Sequence, residues 1–243
     1  MKENTYKALT VRTASGEHKV FLQGGFYLSS FSTSCIHEHN YAEIHLIAGG
    51  NAEFTVKDQT LTLKSGAMLV IPSKVYHSCV SKDTDTMHCA FQIDCAPSSY
   101  FTYELNPELI LEFFRTIKNT SEEDDHSAIA AYISLFCSCF EQGRETSPHA
   151  ITDYGFIIYE FFSNNYSLPV RLSDLAQVLH LSERQAERLV LEHTGKSFRD
   201  ELSATRVRIA RYLLKTTNMP LGEIAEYTGY RSYAGFWKAM KKF

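Results

Sequence analysis

Hydrophobic and polar positions change their rhythm partway along the chain. From Val20 to about Asp94, apolar residues come in short alternating stretches separated by turn residues. Residues 52–56 and 60–63 flank Lys57-Asp58-Gln59 and predict a hairpin, and Lys64-Ser65-Gly66 then turns the chain into residues 67–71, which stop at Pro72. Strands this short, roughly ten residues apart, predict an antiparallel sandwich or barrel. Beyond Pro97 the period lengthens. Pro107 suits the first turn of a helix that carries Leu109, Ile110, Phe113, Phe114 and Ile117 at helical spacing. Acidic residues 121–125 suit a helix N-terminus, and Ile129, Ile133, Phe136, Cys137 and Phe140 then line a second stripe. Residues 143–149 read as a linker. From Ile151 onward the pattern is helical, with strong breaks only at residues 164–169 and 218–220.

The expected fold class is therefore α+β: an antiparallel β sandwich or barrel over residues 1–98, a helical segment and linker over 99–148, and an all-α domain over 149–243; the resemblances given below imply a barrel for the first and a dimerisation role for the second. A chain of 243 residues is long enough for two cores of ordinary size. Residues 128–140 are too short for the roughly 20 apolar residues of a membrane span. The opening residues MKENTYKALTVRT lack the apolar centre of an export signal. The six cysteines form no CxxC pair and read as reduced thiols, which places the protein in the cytoplasm and away from membranes. The net charge of −4 conceals an asymmetry, with −7 in the first 150 residues and +3 in the remainder. A basic second half raises the question of an acidic partner.

That half contains a repeated pattern. Leu175, Ala176 and Leu179 form a short stripe, residues 181–182 break it, and Ala186, Leu189, Val190 and His193 begin another. Two short helices crossing at a small residue, here Ala176, make a helix-turn-helix, and Ser182 is a natural N-cap for the second helix. Arg184, Glu187, Arg188 and Leu191 share that helix's opposite face. Asp174-Leu175-Ala176 is echoed by Glu223-Ile224-Ala225, and Ser182 by Ser232, with Phe236, Met240 and Phe243 as the second inner stripe. Between the copies, residues 206–214 read as a connecting helix. Val207, Ala210, Leu213 and Leu214 are expected inward, and Arg208 and Arg211 outward.

The combination resembles the DNA-binding domain of AraC-type bacterial transcription regulators. It is carried by Leu175-Ala176, Ser182, Leu189, Gly195-Lys196-Ser197-Phe198, Arg206/Ala210/Leu213-Leu214, Leu221/Ile224-Ala225, Gly229-Tyr230 and Phe236/Met240-Lys241-Lys242. Such domains lay two recognition helices into successive major-groove segments about one helical turn apart. The resemblance implies Arg184, Glu187 and Arg188 as base-reading side chains of the first helix, with Tyr233, Ala234 and Lys238 in the second. Arg binds guanine O6 and N7 with two hydrogen bonds, and Glu accepts from cytosine N4. Ser182, Arg231 and Ser232, with the N-terminal amides of both helices, would hold phosphates. On an isolated helix Arg184, Glu187 and Arg188 would read as solvated charge; the doubled motif makes them DNA-facing candidates. Three positions depart from the family pattern. His180 replaces a turn glycine and Gly235 lies inside the second recognition helix. The family's final helical segment is expected to be missing after Phe243.

In the first half, His37-x-His39-x3-Glu43-x6-Gly50 and Gly66-x5-Pro72-x4-His77 resemble the two motifs of cupins, over roughly residues 20–95. Lys74 stands for the usual glycine of the second motif and Ser81 for its usual asparagine. The resemblance implies that His37, His39, Glu43 and His77 hold a divalent transition metal, a donor set suited to Zn, Fe, Mn, Ni or Cu. Alternatively, these groups bind an organic effector directly or simply bond one another. His37, His39, Glu43 and His45 share parity, so a regular strand would turn all four into the barrel as an effector pocket, together with His77. Taken together, the resemblances imply a transcription regulator that binds promoter DNA, senses a small-molecule effector in its barrel, and works as a homodimer. A metal-dependent cupin enzyme of dioxygenase or isomerase type is the alternative, although no separate acid, base or nucleophile constellation accompanies the donor set.

Overall fold

The computed structural model describes residues 6–13, 16–23, 27–28, 35–57, 59–81, 85–97, 99–120, 126–139 and 153–243. The chain divides into two compact units, Met1–Ala150 and Ile151–Phe243. The expected linker, the acidic segment 121–125 and Phe140 lie outside the described residues.

The first unit runs β1 (Tyr6–Thr13), β2 (Gly16–Gln23), β3 (Tyr27–Leu28), β4 (Ala42–Gly49), β5 (Asn51–Val56), β6 (Gln59–Lys64), β7 (Ala67–Ile71), β8 (His77–Ser81), β9 (Met87–Ile93) and β10 (Phe101–Glu104). Helices α1 (Pro107–Asn119) and α2 (Ser127–Ser138) follow. The predicted hairpin forms, with Val56 opposite Gln59. All strand pairings are antiparallel, in two sheets. A seven-stranded sheet has the order β1-β2-β9-β4-β7-β10, with β3 also on β9, and a three-stranded sheet has the order β6-β5-β8. Among the described residues the ladders of the two sheets stay separate, so the expected barrel is an open two-sheet form.

The period of two in each strand divides the large sheet into two apolar faces. Ile44 and Leu46 of β4, Met68 and Val70 of β7, and Phe91 and Ile93 of β9 pack with Ile110, Phe113, Ile129, Ile133 and Phe136 of the helices. The opposite parity, Ile47, Leu69 and Ile71, packs with Ala52, Phe54, Val56, Leu63 and Cys79 of the small sheet. Helix α1 starts as the sequence predicts: Pro107 occupies the first turn and the Asn106 side chain accepts a hydrogen bond from Glu108 N at 3.0 Å. The inner stripe of α2 is used up by its own sheet, since Ile129, Ile133 and Phe136 are buried there. Those side chains are therefore not available to a second copy.

The second unit is helical: α3 (Asp153–Asn165), α4 (Leu172–Val178), α5 (Glu183–Thr194), α6 (Phe198–Thr216), α7 (Leu221–Tyr227) and α8 (Tyr233–Lys242). Helices α4 and α5 repeat in α7 and α8 down to individual hydrogen bonds. The first turn is closed by Leu179 N to Leu175 O, His180 N to Gln177 O and Leu181 N to Ala176 O. The second uses Thr228 N to Ile224 O, Gly229 N to Glu226 O and Tyr230 N to Ala225 O. Ser182 and Ser232 cap α5 and α8 as predicted. The connecting helix α6 is longer than its motif suggests. Leu214 points outward, against expectation, and Arg208 is half-buried with its guanidinium 5.9 Å from the Tyr159 ring centre. Both follow from the neighbour that α6 meets at each turn: Val207, Ile209, Ala210 and Leu213 already fill its buried stripe.

Candidate functional sites: a histidine cluster and a doubled helix-turn-helix

Strand register brings the histidines together. Glu43 and His45 lie on β4 and point between the sheets, and β9, paired with it, places Gln92 opposite Glu43 and His88 opposite Ile47. His37 and His39 do not share that strand, because β4 begins only at Ala42. They reach the cluster as the chain crosses from the small sheet to the large one. His37 forms an isolated bridge with His77, through two backbone hydrogen bonds of 2.9 Å, while Lys74 N donates to His39 O at 2.8 Å. Same-strand parity was thus the wrong reason for a convergence that does occur.

One carboxylate oxygen is the hub. Glu43 Oε2 lies 2.8 Å from His77 Nε2, 3.0 Å from His45 Nε2 and 3.1 Å from His39 Nε2. His37, His39, Glu43 and His77 each offer one donor atom, all within 4.8 Å of one another, and all four residues are buried. The outer ring nitrogens are also engaged. His37 Nδ1 sits 2.7 Å from Cys35 O, and His77 Nδ1 lies 2.9 Å from Val75 O. Gln92 Nε2 is 2.9 Å from His39 Nδ1, and His88 Nε2 is 2.9 Å from His45 Nδ1.

The tautomers follow from this geometry. A carbonyl oxygen only accepts, so His37 and His77 carry their proton on Nδ1 and present a lone pair at Nε2. For His77 that lone pair faces Glu43 Oε2. Either the ring takes a second proton or a cation occupies the shared space. Burial opposes the second proton, holding His37 well below the ordinary histidine value and lowering His77 too. Burial also takes His88 down to about 3, with His45 beside it adding to the effect. Glu43 behaves oppositely: burial pushes it up, but the imidazoles of His39 and His45 outweigh this and hold it well below the usual carboxylate range. An ionised carboxylate grouped with His37 and His77, whose Nε2 atoms carry lone pairs, forms the core of a donor set for a divalent cation. Among the four, Glu43 Oε2 lies 2.8 Å from His77 and 3.1 Å from His39, and the whole set falls within 4.8 Å, close enough to converge on one ion. Gln92 gives an independent sign of fit. Among the described residues its buried Oε1 has no hydrogen-bond partner. Exchanging the ends of that amide sets the oxygen on His39 Nδ1, which then carries the proton and frees Nε2 for a metal.

In the helical unit, Arg184 and Arg188 stand exposed on α5, as expected. Glu187 does not. It is half-buried and turns to the start of α6, where its two oxygens accept from Phe198 N at 3.3 and 3.4 Å. The Ser182 hydroxyl is engaged within its own capping box, donating to Gln185 Oε1 at 2.7 Å and accepting from Gln185 N. Arg231, Ser232, Tyr233, Ala234 and Lys238 are exposed. A groove of about 570 Å3 beside the second turn is lined by Ser167, Pro169, Glu226, Arg231, Ser232 and Tyr233.

Comparison with known proteins matches residues 29–154 to the AraC-like ligand binding domain and residues 175–243 to a helix-turn-helix domain. The chain belongs to the AraC family of transcription regulators. It is 21% identical over 233 residues to the HTH-type transcriptional regulator YfiF of Bacillus subtilis, covering 84% of this chain and 74% of that protein. It is 22% identical over 229 residues to the Msm operon regulatory protein of Streptococcus mutans, covering 84% and 81%. Among solved structures, apo ToxT from Vibrio cholerae aligns over 96% of this chain and 94% of its own, with 16% identity and a TM-score of 0.41. The relatives are regulators, and the enzyme alternative is set aside.

Within this AraC-type chain, two departures from the family pattern acquire a meaning. Lys74 and His180, which stand where the family has glycine, both adopt the left-handed backbone, with φ of 62° and 54°. The fold keeps the glycine conformation without the glycine. Gln92 was missed by motif reasoning; the usable signal was its shared parity with His88 on one strand.

Proposed function

We propose that the sensor unit of this transcription regulator holds a divalent first-row transition metal on His37, His39, Glu43 and His77. The small-molecule effector is anchored at that ion beside His45. The observation that supports this most strongly is the His77 ring, held between two acceptors, Val75 O and Glu43 Oε2, in a buried position. When bound, the ion would supply charge compensation for Glu43 and open positions for an oxygen or nitrogen donor of the effector. The protein's own part is orientation: the Cys35 and Val75 carbonyls fix two tautomers, and Gln92 fixes a third.

The helical unit reads promoter DNA through Arg184 and Arg188 of α5 and through α8. Arg231, Ser232 and the helix N-termini hold the backbone, and Ser182 contributes by capping α5. The effector acts by favouring one domain arrangement, to the extent of its differential affinity. We place this activity in the cytoplasm, in keeping with the lack, among the described residues, of any helix long and apolar enough to cross a membrane. We also infer a homodimer. With the inner stripe of α2 consumed, its outward Ala131 and Leu135 are what this helix offers a second copy.

Cobalt(II) titration of the full chain tests the metal reading. One equivalent should bind with visible ligand-field bands, and Glu43→Gln or His77→Ala should lose them. Absence of saturable binding by the wild-type protein would leave the cluster as a hydrogen-bonded polar core.

A further inference from the structure

The two recognition helices present opposite chemistry. Helix α5 shows charged Arg184 and Arg188 to solvent, whereas the outward face of α8 consists of Tyr233, Ala234, Trp237 and Lys238. Tyr233 is 48% exposed and Trp237 40%. Both rings rest on buried Phe236, Tyr233 at 6.2 Å and Trp237 at 6.0 Å between ring centres, and keep the rest of their surface open to solvent. Tyr233 and Trp237, one helical turn apart, meet edge to face at 6.0 Å and 88°, forming one apolar ridge. Its surroundings are largely cationic: Arg231 precedes the helix, Lys238 and Lys241 lie along it, Lys242 is paired with Asp200, and no acidic residue occurs within α8. An aromatic ridge in a basic frame fits a surface with negative edges and an apolar floor. The major groove over thymine supplies both, since phosphates line the rims and the C5-methyl is its one apolar group.

We propose that α8 reads its DNA half-site through thymine C5-methyl groups, with Trp237 and Tyr233 as the specificity-determining residues. Helix α5 selects guanine through Arg184 and Arg188. This rests on the DNA-reading role proposed above for both helices. The inference adds Trp237 as a base-contacting residue and assigns different base classes to the two half-sites.

The experiment uses the full chain and a site obtained by selection from genomic DNA. Thymines of the half-site unaffected by Arg188→Ala are replaced one at a time by uracil, which removes only the methyl. The expected loss is about fourfold in affinity at each contacted thymine, the equivalent of about 0.8 kcal/mol for one buried carbon group. Trp237→Ala should lose the thymine-over-uracil preference at the thymines it contacts, and the double variant with Tyr233→Ala at all of them, while both keep the wild-type loss for guanine changes in the α5 half-site. If uracil leaves wild-type affinity unchanged while Arg188→Ala still abolishes selectivity, methyl reading is overturned and DNA reading by α5 stands. If selection yields no recurrent site, the DNA-reading role itself fails, and this inference with it.

Discussion

Gly229→Ala should unfold much of the helical unit's stability, and the structure shows why. Gly229 closes the turn between α7 and α8 at φ 81°, a region that costs an L-residue about 1–2 kcal/mol. A methyl there would also lie 2.6 Å from Ser167 O and 2.9 Å from Ser167 C, backbone atoms that cannot swing aside. The segment they belong to is itself tethered, because Arg206 donates to Tyr166 O at 2.6 Å and to Leu168 O at 2.9 Å. Relieving the clash means shifting that segment and weakening one or both bonds, an overpacking cost of about 1–3 kcal/mol. The sum is about 2–5 kcal/mol, a large part of the stability of a domain this size. Urea unfolding followed by the fluorescence of Trp237, the single tryptophan, reads the affected unit directly. The midpoint should fall strongly with little change in slope. A variant within about 0.5 kcal/mol of wild type would show that Ser167 does not pack on this turn and that the repeat is drawn wrongly.

The remaining predictions concern the same logic elsewhere. His180→Gly should raise the stability of the helical unit by about 1 kcal/mol in the same assay, because it relieves a positive φ without creating a contact; a loss of stability would contradict the turn assignment. Lys74→Gly should keep the cobalt binding proposed for the cluster, since glycine retains both the left-handed backbone and the N–H that donates to His39 O. Burial, with Glu43 nearby, pushes the Cys79 thiol up to about 12, and burial alone pushes Cys89 up too. Both should therefore stay unreactive toward Ellman's reagent at pH 8 in the folded protein and react on unfolding. Arg188→Ala should weaken specific DNA binding by about 1–3 kcal/mol in a gel-shift titration; unchanged affinity would remove Arg188 from the interface.

How much of this was legible in the sequence depends on the range of the interaction. Local signals were read well: Pro107 opens α1, Ser182 and Ser232 cap their helices, and the second helix-turn-helix repeats the hydrogen bonds of the first. The identity of the cluster residues was also legible, because the two histidine motifs carry it. Long-range facts were not. Sequence parity put His37 and His39 on the strand of Glu43, whereas sheet crossing and the bridge to His77 deliver them. Glu187 looked like a base reader because its spacing matches Arg184 and Arg188, yet its carboxylate is claimed by an amide eleven residues ahead, at Phe198. Leu214 and the α2 stripe show the same limit: periodicity finds an apolar face, but not which neighbour covers it.

The doubled helix-turn-helix makes one demand that a single footprint decides. Hydroxyl-radical cleavage of a selected promoter site, bound by the full chain, should show, for each bound copy, two protected patches on one face of the duplex. They should lie about one helical turn apart, as two recognition helices joined by α6 require. A lone patch would mean that α8 does not enter the groove, and scattered protection that shifts with salt alone would contradict sequence-specific reading by either helix.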